Sequence, residues 1–385
     1  MLLPQLVLKN AFRHKLRTVL TIVGIVVAIT AFGLLRTIVD AWYAGANASS
    51  SARLVTRSAV SLVFPLPLTY AQKLRQVPGV ASVTWANWFG GVYISERNFF
   101  PQFAIDAPSY LDMYPEFVLA ADERKAFLTD RTGAIAGRKL ADRYGWKIGD
   151  AIPLRGTIFP GTWTFTLRGI YDGAEATTDT SSMFFHWRYL NETLKRISPR
   201  RADQTGVFIE QLADPQQAAE VSRAIDAEFR NSLAETLTET EKAFQLAFVA
   251  MAETILLAIQ AVSFVVVIII MAVMANTMAM TVRERSAEYA TMKALGFSGA
   301  FVALMIFAES LAIAMVGGLI GVGVTIPLTR AFAVAVGSLL PSVSVSIETT
   351  LLQLGAALVV GAVAAWLPAW RAARIRIVDG LRAVG

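Results

Sequence analysis

The sequence predicts an α-helical membrane protein with four transmembrane helices and a large mixed α/β domain outside the bilayer. Its 385 residues are 55% hydrophobic and only 17% charged, which is too apolar for an ordinary soluble protein of this size. Four apolar runs are long enough to span a membrane. Residues 41–245, which have mixed polarity, separate the first run from the second and predict the folded domain.

The first apolar run extends from Thr18 to Leu35 without a charged residue. Its 18 residues give roughly 27 Å of helix, close to the thickness of a hydrocarbon core. We therefore expect residues 1–40 to form a cytoplasmic N-terminal helix and the first span. A cleaved signal peptide is the alternative, because Ala44-Gly45-Ala46 resembles a cleavage site, but the run exceeds the ~7–15 residues of a signal core.

The second run, from Thr254 to Val282, is uncharged and would form roughly 43 Å of helix, more than a bilayer needs. Residues 246–282 are therefore predicted to form a stalk that continues into the second span. The third span is predicted over 299–329 and the fourth over 349–370.

Basic residues are distributed unevenly around these spans. Four precede the first span, three lie at 283–293 and four follow the last, whereas Arg330 is the only one at 330–348. Because Lys and Arg accumulate on the cytoplasmic side, the segment 283–298, the tail 371–385 and the N-terminus are predicted to be cytoplasmic. The domain 41–245 and the loop 330–348 are then predicted to lie on the opposite side of the membrane. The basic residues before the first span are Lys9, Arg13, Lys15 and Arg17.

Charge and residue usage exclude several classes of function. The net charge of +6 comes from the termini and short loops, because residues 40–242 hold 22 Lys/Arg against 23 Asp/Glu, and this argues against nucleic-acid binding. The chain has no cysteine and only His14 and His186, which excludes disulfides and thiolate nucleophiles and argues against cysteine or histidine metal sites. We expect no catalytic residues.

Within the outer domain, the pattern predicts an α/β part into which a β-rich subdomain is inserted at about 105–200. Leu68–Gln76 has a helical pattern and Val80–Thr84 suits a strand, while Gly206–Glu210 predicts a strand followed by an amphipathic helix. Gly133–Leu140 resembles a phosphate-binding loop, but its glycines are too closely spaced for a Walker motif, so a turn into a helix is predicted. Aromatic residues, some core and some surface, cluster at 85–103.

Two features inside the apolar runs are candidates for a role. Glu309 is an intramembrane acid in the third run, and it is either an ion relay or a hydrogen-bonded residue facing another helix. Gly317 and Gly321 have the GxxxG spacing that permits close helix packing, either within one chain or between subunits.

The segment TVRERSAEYATMKALGFS, residues 281–298, is charged and helix-favouring between two spans. Arg285 and Glu288 are three apart and can pair on a helix, Ala294 offers a small apolar contact, and Gly296 suits a left-handed helix end. Such a helix either lies in the headgroup layer or docks into a soluble partner.

These residues give the chain a resemblance to the MacB/FtsX-like permeases, which are membrane subunits of ABC transporters with four spans per protomer. Val282, Arg285, Glu288, Ala294 and Gly296 match the pattern of the family's cytoplasmic segment. Tyr289-Ala290 replaces the usual Ile-Gly, and Ile377 and Gly380 also depart from the pattern. The terminal matches are Arg17-Thr18-Val19-Leu20-Thr21 with Gly24-Ile25, Leu367-Pro368-Ala369, Ala372-Ala373-Arg374 and Leu381.

The resemblance implies a permease that couples to a separate ABC ATPase through Arg285, Glu288, Ala294 and Gly296, with ATP and Mg bound by that partner and no cofactor bound by this chain. It also implies that the chain lies in a bacterial inner membrane with the domain 41–245 in the periplasm, and that it acts in export or mechanotransmission as a homodimer or with a related permease. The resemblance leaves open whether a periplasmic adaptor and an outer-membrane channel take part. An FtsX-like subunit that activates a cell-wall hydrolase is one alternative. A secondary transporter that uses Glu309 without an ATPase is the other.

Overall fold

The computed structural model describes residues 15–175, 178–336 and 344–377, which divide into two compact units. The helical unit contains the chain up to Ala41 and most of the chain from Glu253 onward; the sheet unit contains Trp42–Ala252. Lys9, Arg13, Gly380, Leu381 and the middle of the predicted loop 330–348 lie outside the described residues.

Twelve α-helices are found in the described residues. They are α1 (Lys15–Ala48), α2 (Tyr70–Leu74), α3 (Ala107–Met113), α4 (Ala121–Thr129), α5 (Arg138–Tyr144), α6 (Trp187–Ile197), α7 (Ala218–Glu228), α8 (Glu241–Met251), α9 (Glu253–Glu284), α10 (Ser286–Ala294), α11 (Gly299–Val336) and α12 (Ile347–Arg374). Four of these, α1, α9, α11 and α12, are long and apolar enough to cross a membrane.

The strands in the described residues are β1 (Arg53–Ser58), β2 (Leu66–Pro67), β3 (Val80–Trp88), β4 (Gly91–Val92), β5 (Gln102–Ile105), β6 (Phe117–Val118), β7 (Gly133–Gly137), β8 (Ala151–Gly156), β9 (Gly161–Gly173), β10 (Met183–His186), β11 (Gln204–Thr205), β12 (Val207–Leu212) and β13 (Thr236–Thr240). Eleven of them form one mixed sheet with the order β13-β1-β12-β3-β5-β10-β7-β9-β8-β4, in which β6 pairs with β9; β11 and β2 form a separate pair. The strands from the stretch predicted as a β-rich insertion, β6 to β10, are neighbours in this sheet, and β10 joins them to the strands on its other side by running parallel to β5.

The predicted elements of the sheet unit are present, with different bounds. Gly133–Gly137 is a buried strand that leads directly into α5, where the sequence predicted a turn. The structure also sorts the aromatic cluster: Phe89 and Phe100 are fully buried, whereas Trp88 and Phe99 are partly exposed and pack against each other. Alternation of apolar and polar residues along β9 buries one of its faces.

Two long helices differ from the sequence expectation. The predicted stalk is divided, because the chain leaves helical geometry at Ala252, with φ −101° and ψ 4°, between α8 and α9. No proline or glycine marks this position, so the sequence contains no signal for the break. The third spanning helix, α11, continues beyond the predicted residue 329 to Val336, with Pro327 inside it.

The GxxxG pair belongs to packing within the chain. A Cβ at Gly317 would lie 2.8 Å from Ile25, and one at Gly321 would lie 3.0 Å from Ile29, so α11 approaches α1 through these two glycines. The Thr30 hydroxyl donates to the Gly321 carbonyl at 3.1 Å along the same contact.

The helical unit also contains a buried amide that bridges three helices. Gln353 of α12 donates to the Ile29 carbonyl of α1 and to the Thr325 hydroxyl of α11, both at 2.8 Å. The amide nitrogen of Gln353 thus links α12 to α1 and α11, while its carbonyl oxygen has no hydrogen-bond partner among the described residues.

A buried acid lies beneath α7 in the sheet unit. Glu210 of β12 is fully buried, and its carboxyl oxygens have no hydrogen-bond partner among the described residues. Burial raises its pKa to about 8, and the charge of Asp226 raises that pKa as well. Asp226 of α7 accepts the Thr238 hydroxyl at 2.7 Å, and Thr238 in turn contacts the Thr56 hydroxyl at 2.9 Å. Burial therefore favours the protonated form of Glu210 at neutral pH.

We expect Gly317→Ala to destabilise the protein by about 1–3 kcal/mol, because the added methyl group overpacks the contact with Ile25. Gly323→Ala is the matched control, since no atom lies within 4 Å of a Cβ there. Thermal unfolding in detergent measures both variants, and equal unfolding temperatures would contradict the predicted packing.

We expect the stability of the protein to fall as the pH rises through Glu210's titration. The folded pKa of about 8 lies above the ordinary value of 4.5, so between these values the folded state holds a proton that the unfolded state has released. Glu210→Gln should remove this decline, and the exposed Glu220→Gln should leave it unchanged. Unfolding of the full chain followed between about pH 5 and pH 8 tests the difference.

Candidate functional site

The segment between α9 and α11 contains the densest set of sequence-predicted residues. Helix α9 ends at Glu284, Arg285 has non-helical geometry, and α10 follows at Ser286–Ala294. Gly296 then has φ +96°, which confirms the left-handed helix end predicted for this glycine. The next long helix, α11, starts three residues later.

Arg285 is the centre of this segment. Its Nε donates to Glu288 Oε2 at 3.1 Å, which confirms the predicted pairing, and its Nη1 donates to Glu309 Oε2 at 3.0 Å. The side chains of Arg285 and Glu309 are only 7% and 4% exposed. The guanidinium also lies 5.3 Å from the centre of the Tyr289 ring. One arginine thus ties α10 to the body of α11.

In the structure Glu309 is bonded to Arg285, as expected for a hydrogen-bonded residue that faces another part of the chain. A buried carboxylate needs a partner charge, and removing one member of such a pair typically costs about 3–5 kcal/mol. The sequence identified both residues as candidates but did not join them. They lie 24 positions apart on different helices, and no local pattern predicts that contact.

Tyr289 fills the space beneath this pair. The residue is fully buried, and burial raises its pKa to about 12, with Arg285 lowering and Glu309 raising that pKa. Ala290 beside it is also fully buried. The departure from the family's Ile-Gly pattern therefore lies on the packed side of α10, where the tyrosine ring contributes to the helical core.

Two further contacts fix the segment, and sequence analysis identified neither. Arg17 of α1 makes a bidentate ion pair with Glu284, with both N···O distances at 2.7 Å. Lys293 of α10 donates to the carbonyl oxygens of Ala373 and Ile375, at 2.6 and 3.0 Å, where α12 ends. Helix α10 therefore has polar contacts with α11 and α12, and the helix before it has one with α1.

The exposed part of the segment follows α10. Ala294 and Gly296 are exposed, as are the side chains of Leu295 and Phe297, and Phe297 stacks on Phe301 at 5.0 Å. We call residues 294–297 the apolar tip. Gly317 and Gly321 lie elsewhere on α11, in the contact with α1. In the described part of the chain, no group of three or more His, Cys, Asp or Glu residues is arranged to hold a metal ion.

Comparison with known families gives two matches. Residues 18–228 match the model of the MacB-like periplasmic core domain, and residues 261–377 match the model of the FtsX-like permease C-terminal region. The first match covers more than half of the chain, and the second contains the whole segment around Arg285. No curated protein matches the sequence.

The solved structures that match include domains of two transporters. The extracellular domain of the noncanonic ABC-type transporter YknZ from Gram-positive bacteria is 12% identical, with a TM-score of 0.36; the match covers 49% of this chain and 100% of that one. The periplasmic region of MacB from Actinobacillus actinomycetemcomitans is 8% identical, with a TM-score of 0.36, covering 51% and 92%.

We expect Arg285→Met to destabilise the protein by about 3–5 kcal/mol, because Glu309 would be left buried without its partner charge. The exposed Arg283→Met is the matched control and should change stability by less than about 0.5 kcal/mol. The double variant Arg285→Met/Glu309→Leu should recover much of the loss. Unfolding in detergent measures the stability of all three variants. A double variant that is no more stable than Arg285→Met would argue against the pairing.

Proposed function

Because the chain belongs to the MacB/FtsX-like family of ABC transporter permeases, we propose that it is the permease subunit of a MacB-like system in a bacterial inner membrane. In this proposal a separate ABC ATPase binds ATP and Mg on the cytoplasmic side. The permease converts the ATPase's conformational change into movement of its periplasmic domain, and this movement drives export or extrusion.

The observation that carries the proposal is the anchoring of α10. A partner that pushes on the apolar tip acts on α10. Arg285, which precedes this helix, connects its Glu288 to Glu309 in α11, and Lys293 within the helix is bonded to the end of α12. Because these contacts are buried or partly buried and directional, a displacement of α10 is transmitted to the spanning helices. A helix that only lay in the headgroup layer would need no such attachment.

The exposed tip supports docking to a soluble partner. Leu295 is 75% exposed and Phe297 is 45% exposed, and exposed apolar side chains beside a charged helix are typical of a helix-in-groove contact. We propose that Ala294 and Gly296 permit close approach of the ATPase, while Glu288 lies at the edge of the contact. The permease would act as a homodimer or with a related permease.

Other readings of the function are less well supported. A secondary transporter that uses Glu309 as an ion relay is less well supported, because the pairing with Arg285 offers a structural reason for a buried acid at this position. Activation of a periplasmic cell-wall hydrolase fits the same movement of the outer domain. Co-purification of a hydrolase, without any exported solute, would favour that alternative over transport with an adaptor and an outer-membrane channel.

We expect Leu295→Glu to abolish co-purification of a P-loop ATPase with the tagged chain, because a charge enters the apolar contact. Leu233→Glu, at a leucine of the sheet unit that is 92% exposed, is the matched control and should retain the ATPase. Quantitative recovery from gently solubilised native membranes measures both. If both variants retain the ATPase equally, the apolar tip is not part of the interface with the ATPase.

Glu288→Gln should keep the ATPase bound but weaken coupling, because Arg285 loses one of its two carboxylate partners. We expect stimulation of ATP hydrolysis in the reconstituted complex to fall about tenfold, equivalent to a coupling free energy of about 1.4 kcal/mol. Glu348→Gln is the control. Glu348 lies at the start of α12 and forms an exposed ion pair with Arg36 of α1, and its replacement should leave the stimulation of ATP hydrolysis unchanged. Equal stimulation in both variants would count against the coupling role.

A further inference from the structure

A second buried arginine lies in the sheet unit, where the chain enters and leaves its sheet. Arg53 is the first residue of β1, and its side chain is 6% exposed. Its Nε donates to Glu241 Oε2 at 2.7 Å, its Nη2 donates to Glu116 Oε1 at 2.6 Å, and its Nη1 donates to the Met113 carbonyl at 3.1 Å. The guanidinium stacks on Tyr114 at 4.1 Å.

Glu241 makes this cluster a junction of several chain segments. It is the first residue of α8, and both of its carboxylate oxygens are bonded: Oε1 accepts the Tyr114 hydroxyl at 3.0 Å, and Oε2 accepts the Ser50 amide at 3.2 Å as well as Arg53. Burial acts to lower the pKa of Arg53, but the carboxylates of Glu116 and Glu241 raise it above its ordinary value, so the guanidinium stays charged.

Helix α8 connects the spanning helix α9 to the sheet along the chain, so the contacts of Glu241 lie on this connection. A single residue, Ala252, separates α8 from the spanning helix α9. On its other side, α8 follows edge strand β13 directly, and the Thr240 hydroxyl caps it by accepting the Ala243 amide at 3.2 Å. Any displacement of α9 along the chain must therefore pass through α8 to reach the sheet.

We propose that Arg53 and Glu241 are positioning residues, together called the Arg53 hub, which hold α8 to β1 and to the 113–116 loop so that α8 and the sheet move as one body. This inference rests on the proposed function, because it supplies the step by which movement of a spanning helix reaches the periplasmic domain. An arginine fork that bridges two carboxylates fixes orientation in a way that apolar contacts do not.

A neighbouring ion pair provides a matched control. Arg57 of the same strand donates from Nε to Glu239 Oε1 at 3.0 Å. This second pair joins β1 to β13, which the antiparallel ladder from Leu54 to Ser58 already joins. Its loss therefore removes an arginine–glutamate pair without releasing α8.

The first experiment uses the complete chain in lipid nanodiscs, without the ATPase. Because the sequence has no cysteine, cysteines at the exposed positions Ala247 of α8 and Lys125 of α4 can carry spin labels without a background. The wild-type chain should give one narrow distance distribution. Arg53→Met should broaden that distribution, and Arg57→Met should leave it narrow.

Glu241→Gln is the second variant, because it keeps the size of the side chain and removes only its charge. It should broaden the distribution less than Arg53→Met, and Arg53→Lys, which cannot bridge both carboxylates, should also broaden it. A folded Arg53→Met or Glu241→Gln protein with a distribution as narrow as that of the wild type would overturn the hub. Thermal unfolding shows which variants are folded.

A second experiment adds the ATPase and ATP and separates this inference from the proposed function. If the hub transmits movement, Glu241→Gln retains the stimulation of ATP hydrolysis but loses the ATP-dependent distance change between the periplasmic domains of two protomers labelled at Lys147. A full distance change in this variant overturns the hub. If the wild-type chain neither stimulates nor responds to the ATPase, the proposed function fails, and the nanodisc distances still decide whether the hub holds α8.

Discussion

The ion pair between Arg285 and Glu309 is the interaction on which the organisation of the helical unit depends. It places a charged contact where α10 meets α11, and both side chains are buried in the protein, so each charge needs the other as a partner. Around it, the Arg17–Glu284 pair and the Lys293 contacts with the end of α12 hold the same segment. The short helix is therefore part of the bundle, and the apolar tip that follows it is exposed.

Much of the fold could be predicted from the sequence, because the decisive signals are local. The uncharged run from Thr18 to Leu35 requires a span, whichever residues its helix packs against. Gly296 and the three-residue spacing of Arg285 and Glu288 likewise predicted a helix end and a side-chain contact that the structure contains. Each of these features is determined within one or two helical turns.

The remaining features depend on contacts between distant parts of the chain. Nothing near Glu309 indicates that its partner is Arg285, and nothing near Gly317 indicates that the facing residue is Ile25 of the same chain. The order of the eleven strands is set by pairings such as β1 with β12, more than 140 residues apart in sequence. The break at Ala252 has no local sequence marker, so its position depends on how the helices on either side of Ala252 pack.

Asp226 protects the edge strand β13 from pairing with strands of other chains. Strand β13 ends the sheet, and a bare edge of this kind offers unpaired amides to any passing strand. Here the Asp226 carboxylate accepts the outward-facing Thr238 amide at 3.1 Å, and a negative charge sits where an invading chain would pair. The charge of Asp226 at this edge therefore disfavours continuation of the sheet by a strand from another chain.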